Sequence, residues 1–387
     1  MPRGARPERR QSLPVKSRSG LGHAAGTPAL EPLRPCTYDR SMTDSALVLV
    51  ANAGDGSISV FRFENERMTR LAVTEGLTGC STFAVDAERD LVYAGVKGSN
   101  EGEPAGILTL VLDRETGRLE RRSRLDLPDG GMNYLALTRD GTGLLGAAYS
   151  GGYGISCRVD EGVVGEPVSR VEFRNLHAVL PSTDGRFAYF VSLGDDLVAQ
   201  YALDDDLSLV PLTPETVAAP EGSGPRHLVL NAAQDAVYVL TEFSGEVLHY
   251  ARDTSDGTLR LAGAAPAFDP SKDLTHSTFG ADPMAGHLIW GADLHFGAGE
   301  RYLWATERTE STLAAVAVGE DGSVSAATRF TVTEPQPRGF ALSPDGRFLV
   351  AAGERSTTVS LYEVDGDALD LLEQVETGRG ANWVRFA

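Results

Sequence analysis

Residues 337–354, PRGFALSPDGRFLVAAGE, read as two short apolar strands joined by a tight polar turn. Asp-Gly between two such runs is a strong hairpin signal. The pattern recurs outward from this stretch: CSTFAVDAERDLVYAG (80–95), MNYLALTRDGTGLLGA (132–147), LHAVLPSTDGRFAYFV (176–191), PRHLVLNAAQDAVYVL (225–240) and GADLHFGAGERYLWAT (291–306). A third strand follows each pair, as in STTVSLYEV (356–364), STLAAVAV (311–318) and GEVLHYAR (245–252). A polar turn and a fourth run complete the unit.

Six such units are continuous and a seventh is split. ALVLVANAGDGSISVFRF (46–63) supplies its second and third strands, and ANWVRFA (381–387) its first. The reading is all-β: a seven-bladed β-propeller over residues 42–387, its ring closed by N-terminal and C-terminal strands within one blade. Closure of that kind removes an exposed sheet edge. No Trp-Asp repeat signature accompanies the units.

The chain has 387 residues, 42% of them hydrophobic, with 43 glycines and a net charge of −19. That supports a sizeable core. Residues 1–41 carry eight Lys/Arg and three Asp/Glu, a net of +5, so the rest carries −24. This first segment, rich in Arg, Pro, Gly and Ser, reads as a disordered basic tail with no apolar run of signal-peptide length. A sharper reading starts translation at Met42, because the first strand follows almost at once. An acidic body disfavours nucleic acid and anionic membrane as partners. No apolar run approaches the roughly 18 residues of a membrane span. Cys36, Cys80 and Cys157 form no paired spacing, which fits a reducing, cytoplasmic location.

Aligning the units singles out one position near the start of each first strand: Ser81, Asn133, His177, Arg226, Ala292, Arg338 and Asn382. A charge directly before an apolar run is poor packing, so these residues are expected to ring the mouth of the central channel. Second strands run back antiparallel. Their ends, Ala53, Lys97, Tyr149, Leu193, Glu242, Arg308 and Glu354, form an outer ring on the same face. An ion-pair network alone would explain alternating Arg and Glu. The bias of His177, Arg226, Glu242, Arg308 and Arg338 to one side favours a ligand site instead. His177 and Glu242 are expected at a wet mouth, where replacing either leaves the fold intact. The insertion 266–291 should lie on that face as a lid or a solvated loop, with Lys272, His276 or His287 as residues that would reach inward.

The stretches LHAVLPSTDGRF, GPRHLVLNAAQDAVYVLTE, GADLHFGAGERYLWATER, PRGFALSPDGRFLVAAGE and NWVRF together resemble the seven-bladed propeller lactonases, from about residue 45 onward. These include bacterial 6-phosphogluconolactonases of propeller type and fungal carboxymuconate-lactonizing enzymes. The resemblance implies an active site of His177, Arg226, Glu242 and Arg308, the positions that the repeat alignment had picked out. Thr241 and Glu307 stand where the family commonly has Asn, Ala148 replaces an Asn in the stretch AYSGG, and Glu354 replaces an amide.

The reaction the resemblance implies is hydrolysis of a small anionic lactone, with 6-phosphogluconolactone foremost. His177 or Glu242 would act as general base. Arg226 and Arg308 would hold the oxyanion or the anionic group. Arg338, His227, Asn133, Tyr149 and Glu354 would contact substrate. No metal or cofactor is required; Asp293 and His295 in ADLH are two ligands at most, and a packed strand histidine is the simpler reading. The protein is expected to be a monomer or weak homo-oligomer. The alternatives are lactonization of a carboxylated muconate at the same cluster and a non-catalytic binding propeller.

Overall fold

The structure is a computed structural model that describes residues 46–98 and 102–387. The reading of residues 1–41 as a tail, and of Met42 as a start, falls outside that range. Seven sheets of antiparallel strands follow one another in chain order. Blade 1 is the split one, with strands Ala381–Phe386, Ala46–Asn52, Ser57–Glu64 and Arg67–Thr74 from the axis outward. Blades 2 to 7 begin with Thr82–Asp86, Tyr134–Leu137, Leu176–Pro181, Pro225–Leu230, Gly291–Phe296 and Pro337–Leu342. Six blades have four strands. Blade 6 has a fourth strand broken into Val324–Ser325 and Phe330–Val332.

The turn between the first two strands is built by side chains. Ser343 Oγ donates to Asp345 Oδ1 at 2.5 Å and accepts from Phe348 N at 3.0 Å; Ser182 and Thr138 make the equivalent bonds in their blades. The glycine after each aspartate has positive φ, 69° at Gly346 and 73° at Gly185, which is why Gly follows Asp there.

Second strands are buried along their whole length, as in FLVAAG and AVYVLT, while fourth strands such as ALDLLEQVE stay largely exposed. The core therefore lies between neighbouring blades. The ring closes where Leu49, Val50 and Ala51 pair with Arg385, Val384 and Trp383. Trp383 Nε1 then donates to Phe83 O at 2.8 Å, tying blade 1 to blade 2. Among the described residues no helix is long and apolar enough to cross a membrane.

One feature of the first strands positions the site. Their pairing slips between Leu176 and Ala178, Pro225 and His227, and Pro337 and Gly339. Blade 1 pairs Ala381 and Trp383 but skips Asn382; blade 6 skips Ala292 and Asp293. The extra residues at these β-bulges include His177, Arg226, Ala292, Arg338 and Asn382. A bulge releases a residue from the alternation of the strand and re-aims its side chain. That is how a charged residue precedes an apolar run without disturbing the core.

Candidate active site

A cavity of about 260 Å³ opens at this end of the channel. It is lined by Ser81, Asn133, His177, Arg226 and Arg338 from the inner ring, and by Lys97, Tyr149, Glu242 and Arg308 from the outer one. Gly131, Met132, Ser150 and Trp290 complete the wall. The structure thus gathers five polar residues of the inner ring and four of the outer ring at one place, leaving out Asn382 and Glu354.

Glu242 organises the cationic side. Its Oε2 accepts from Arg226 Nε at 2.8 Å and lies 3.0 Å from Arg308 Nη2. Arg226 Nη1 also donates to Ala292 O at 2.5 Å, and Arg308 reaches Trp290 O and Gly291 O. These bonds use Nε and Nη1 of Arg226, and Nε and Nη2 of Arg308. Nη2 of Arg226 and Nη1 of Arg308 are left without a protein partner among the described residues. Two guanidiniums held rigidly, each with a spare donor, suit a carbonyl or carboxylate oxygen. Burial alone would raise the Glu242 carboxyl, but Arg308, Arg226 and Arg338 outweigh it and hold the group below its usual range. Burial, with Arg308 alongside, lowers Arg226 to about 9.

The expectation of a wet mouth needs correction. Arg226 is 1% exposed and His177 4%, so both sit at the floor beneath the rim. His177 Nδ1 is buried with no hydrogen-bond partner among the described residues. Burial first, then Arg226 and His227, keeps this imidazole well below its ordinary pKa, so it is neutral at pH 7. Its ring meets Tyr149 edge-on at 5.6 Å and His227 at 5.1 Å.

Other residues expected to touch substrate have different work. His227 does not line the cavity. Its Nε2 faces Arg226 Nη1 at 3.0 Å, and its Nδ1 faces Asp293 Oδ1 at 2.7 Å. Since Arg can only donate, His227 is the neutral Nδ1–H tautomer and props Arg226 from behind. Burial, then Arg226, lowers it to about 3. Asp293 also accepts from His295 and from the backbone of Leu294 and Phe340. It is a buried hub; among the described residues no three His, Cys, Asp or Glu are arranged to hold a metal. Asn133 lines the cavity, but its amide donates to His177 O at 2.6 Å and accepts from Tyr149 N. Glu354 lies outside the wall and binds Arg338 Nη1 at 2.6 Å.

The insertion contributes one residue that sequence reading missed. Lys272 and His287 lie beside Glu310, and His276 bonds to Ser277 O; none of the three lines the cavity. Trp290 does. Its indole donates to Glu242 Oε1 at 3.2 Å, and its ring lies 3.8 Å beneath the Arg308 guanidinium. Glu307, buried beside it, fixes this corner by accepting from the backbone N–H of Trp290, Thr309 and Glu310.

The family model described as "Lactonase, 7-bladed beta-propeller" matches residues 41–386. A 6-phosphogluconolactonase of Sodalis glossinidius is 30% identical over 343 residues, covering 87% of this chain and 98% of the relative. That of an Enterobacter species is 29% identical over 342 residues, covering 87% and 97%. Among solved structures, the periplasmic gluconolactonase of Pseudomonas aeruginosa superposes with a TM-score of 0.77 at 24% identity, covering 89% and 99%.

Proposed function

The chain belongs to the seven-bladed β-propeller lactonase family, and from that premise we propose that it hydrolyses 6-phosphogluconolactone to 6-phosphogluconate, the activity for which its curated relatives are named. The observation that carries the reading is the floor of the cavity: a neutral imidazole lines it beside two guanidiniums clamped on one carboxylate.

In this reading His177 is the general base. A water between His177 and the lactone gives up a proton to the imidazole as its oxygen attacks the carbonyl carbon. The carbonyl π electrons move onto oxygen, and that oxyanion faces the spare donors of Arg226 and Arg308. The ring C–O bond then breaks and the leaving alkoxide takes the proton that His177 holds. The cations that disfavour an imidazolium in the empty site do so less once an oxyanion forms between them.

Both carboxylate oxygens of Glu242 are already engaged, one by Arg226 and Arg308 and the other by Trp290, so neither is free to take a proton from water. Glu242 serves better as the post that fixes both forks, with Trp290 and His227 bracing them. Tyr149 and Arg338 extend the wall toward the rest of the sugar. The reading places the enzyme in a reducing compartment, with Cys80 and Cys157 as free buried thiols. It needs only one chain per site.

The test is the rate of 6-phosphogluconolactone opening over its spontaneous background, measured beside unphosphorylated gluconolactone. Catalysis of the phosphorylated lactone, lost in His177→Ala, is expected. Wild-type protein that leaves the background rate unchanged would refute the activity.

A further inference from the structure

We propose that Lys97 is the residue that recognises the substrate's phosphate, with Ser81 and Ser150 beside it on the cavity wall away from Glu242 and Trp290; this rests on the phospholactonase reading above. Each of the three cavity arginines is committed to a carboxylate: Arg226 and Arg308 to Glu242, Arg338 to Glu354. Lys97 lines the same cavity from blade 2, and its ammonium has no ion pair among the described residues. Among the described residues it is the cavity cation without a carboxylate partner.

Its stem has a built seat. A Cβ added at Gly79 would stand 2.8 Å from Lys97 Cδ and 3.1 Å from Cγ, so the lysine chain lies directly over that glycine. Gly79 has φ +58°, which favours glycine on backbone grounds too. A side chain at Gly79 would push this stem aside. The hydroxyls of Ser81 and Ser150 form no hydrogen bond within the described residues, and both residues line the cavity with Lys97.

Charge points the same way. Arg226, Arg308, Arg338 and Lys97 against Glu242 and Glu354 leave four positive and two negative charges, a net of +2, on a chain of net −19. A phosphate monoester carries about −1.5 to −2 at neutral pH. Without Lys97 the site would hold +1, enough for an oxyanion but short for a phosphate as well. In the lactone the phosphate ends an exocyclic arm that leaves the ring beyond the ring oxygen, several bonds from the carbonyl carbon. A cation on the wall away from Glu242 and Trp290 therefore lets the carbonyl reach His177 and the arginine pair. Lysine suits that task as a compact charge with three donors.

The experiment compares wild type, Lys97→Met and Lys97→Arg on 6-phosphogluconolactone and gluconolactone. It also titrates each with 6-phosphogluconate and gluconate by calorimetry. The ratio of kcat/KM for the phosphorylated over the unphosphorylated lactone should fall about 10- to 100-fold in Lys97→Met, mainly through KM, and recover in Lys97→Arg. Calorimetry should show that wild type prefers 6-phosphogluconate to gluconate and that Lys97→Met loses the preference. A ratio within twofold of wild type, or equal losses on both lactones, overturns the proposal while leaving the lactonase reading intact. Lys97-dependent binding of 6-phosphogluconate without catalysis would sink the lactonase reading and keep the phosphate site. Binding of neither ligand would end both.

Discussion

At the scale of single residues, the site depends on which groups are charged when buried. His177 and His227 are neutral in the fold, and both have pKa values depressed by burial and by Arg226. Below about pH 6.5 the unfolded chain binds protons that these folded imidazoles refuse, so stability falls with pH from there toward the folded value, about 3 for His227. For His227 this amounts to about 2 kcal/mol by pH 5. Glu242 and Asp293, held below their usual range, add to the loss below about pH 4. Urea midpoints measured from pH 8 to 4 should decline below pH 6.5; a flat profile would mean that these histidines are charged in the fold. His177→Ala should lower kcat by about 10²- to 10⁴-fold. Glu242→Gln is a different case, because it strands two buried guanidiniums; about 3–5 kcal/mol of destabilisation should accompany its loss of activity. Unchanged urea stability would show that the Arg–Glu–Arg triad is not coupled to folding. Arg226→Lys should be no better than Arg226→Ala, because one ammonium cannot reach Glu242, Ala292 O and His227 together.

At the scale of elements, the first strands and the insertion differ in how far they could be read. Arg226 and Arg338 were legible because a charge beside an apolar run is anomalous in any strand. The bulges that turn them outward were not, since a bulge is a property of two paired strands and leaves no mark in one of them. The same limit hid the fates of His227 and Asn133: adjacency to Arg226 and the repeat alignment put them near the site, but only their partners in the next blade, Asp293 and His177 O, show that they brace it. The insertion has no counterpart in other units, so alignment gave it no register. Histidine and lysine drew attention there, whereas Trp290 is fixed by Glu307 from the next strand pair. Glu307→Gln keeps one acceptor for three backbone donors and should cost about 1–3 kcal/mol. It should also depress kcat/KM by loosening Trp290 against Arg308, to be checked by melting temperature and initial rates. Wild-type values for both would show that this corner does not position the arginine.

For the whole molecule, blade number and closure were legible because the strand–turn–strand unit recurs with its Ser/Thr-x-Asp-Gly turn, and because the two termini complete each other's pattern. Removing residues 382–387 takes away most of the axial strand of blade 1, the Trp383 bond to Phe83 and the pairing with Ala46–Asn52. The truncated chain should become insoluble or lose cooperative unfolding, because a central strand edge is exposed. A truncated chain that melts as the full chain does would show that the ring does not need this seam. The closed ring also explains why six blades contribute to one cavity of about 260 Å³, too small for a macromolecule and suited to one small acid. Catalysis by a neutral His177 beside the Arg226–Glu242–Arg308 clamp is tested most directly by the hydrolysis rate of 6-phosphogluconolactone in His177→Ala beside wild type, each corrected for spontaneous opening. Wild type should exceed the background and the variant should fall at least about 100-fold below it; a variant that retains the wild-type rate would contradict the account.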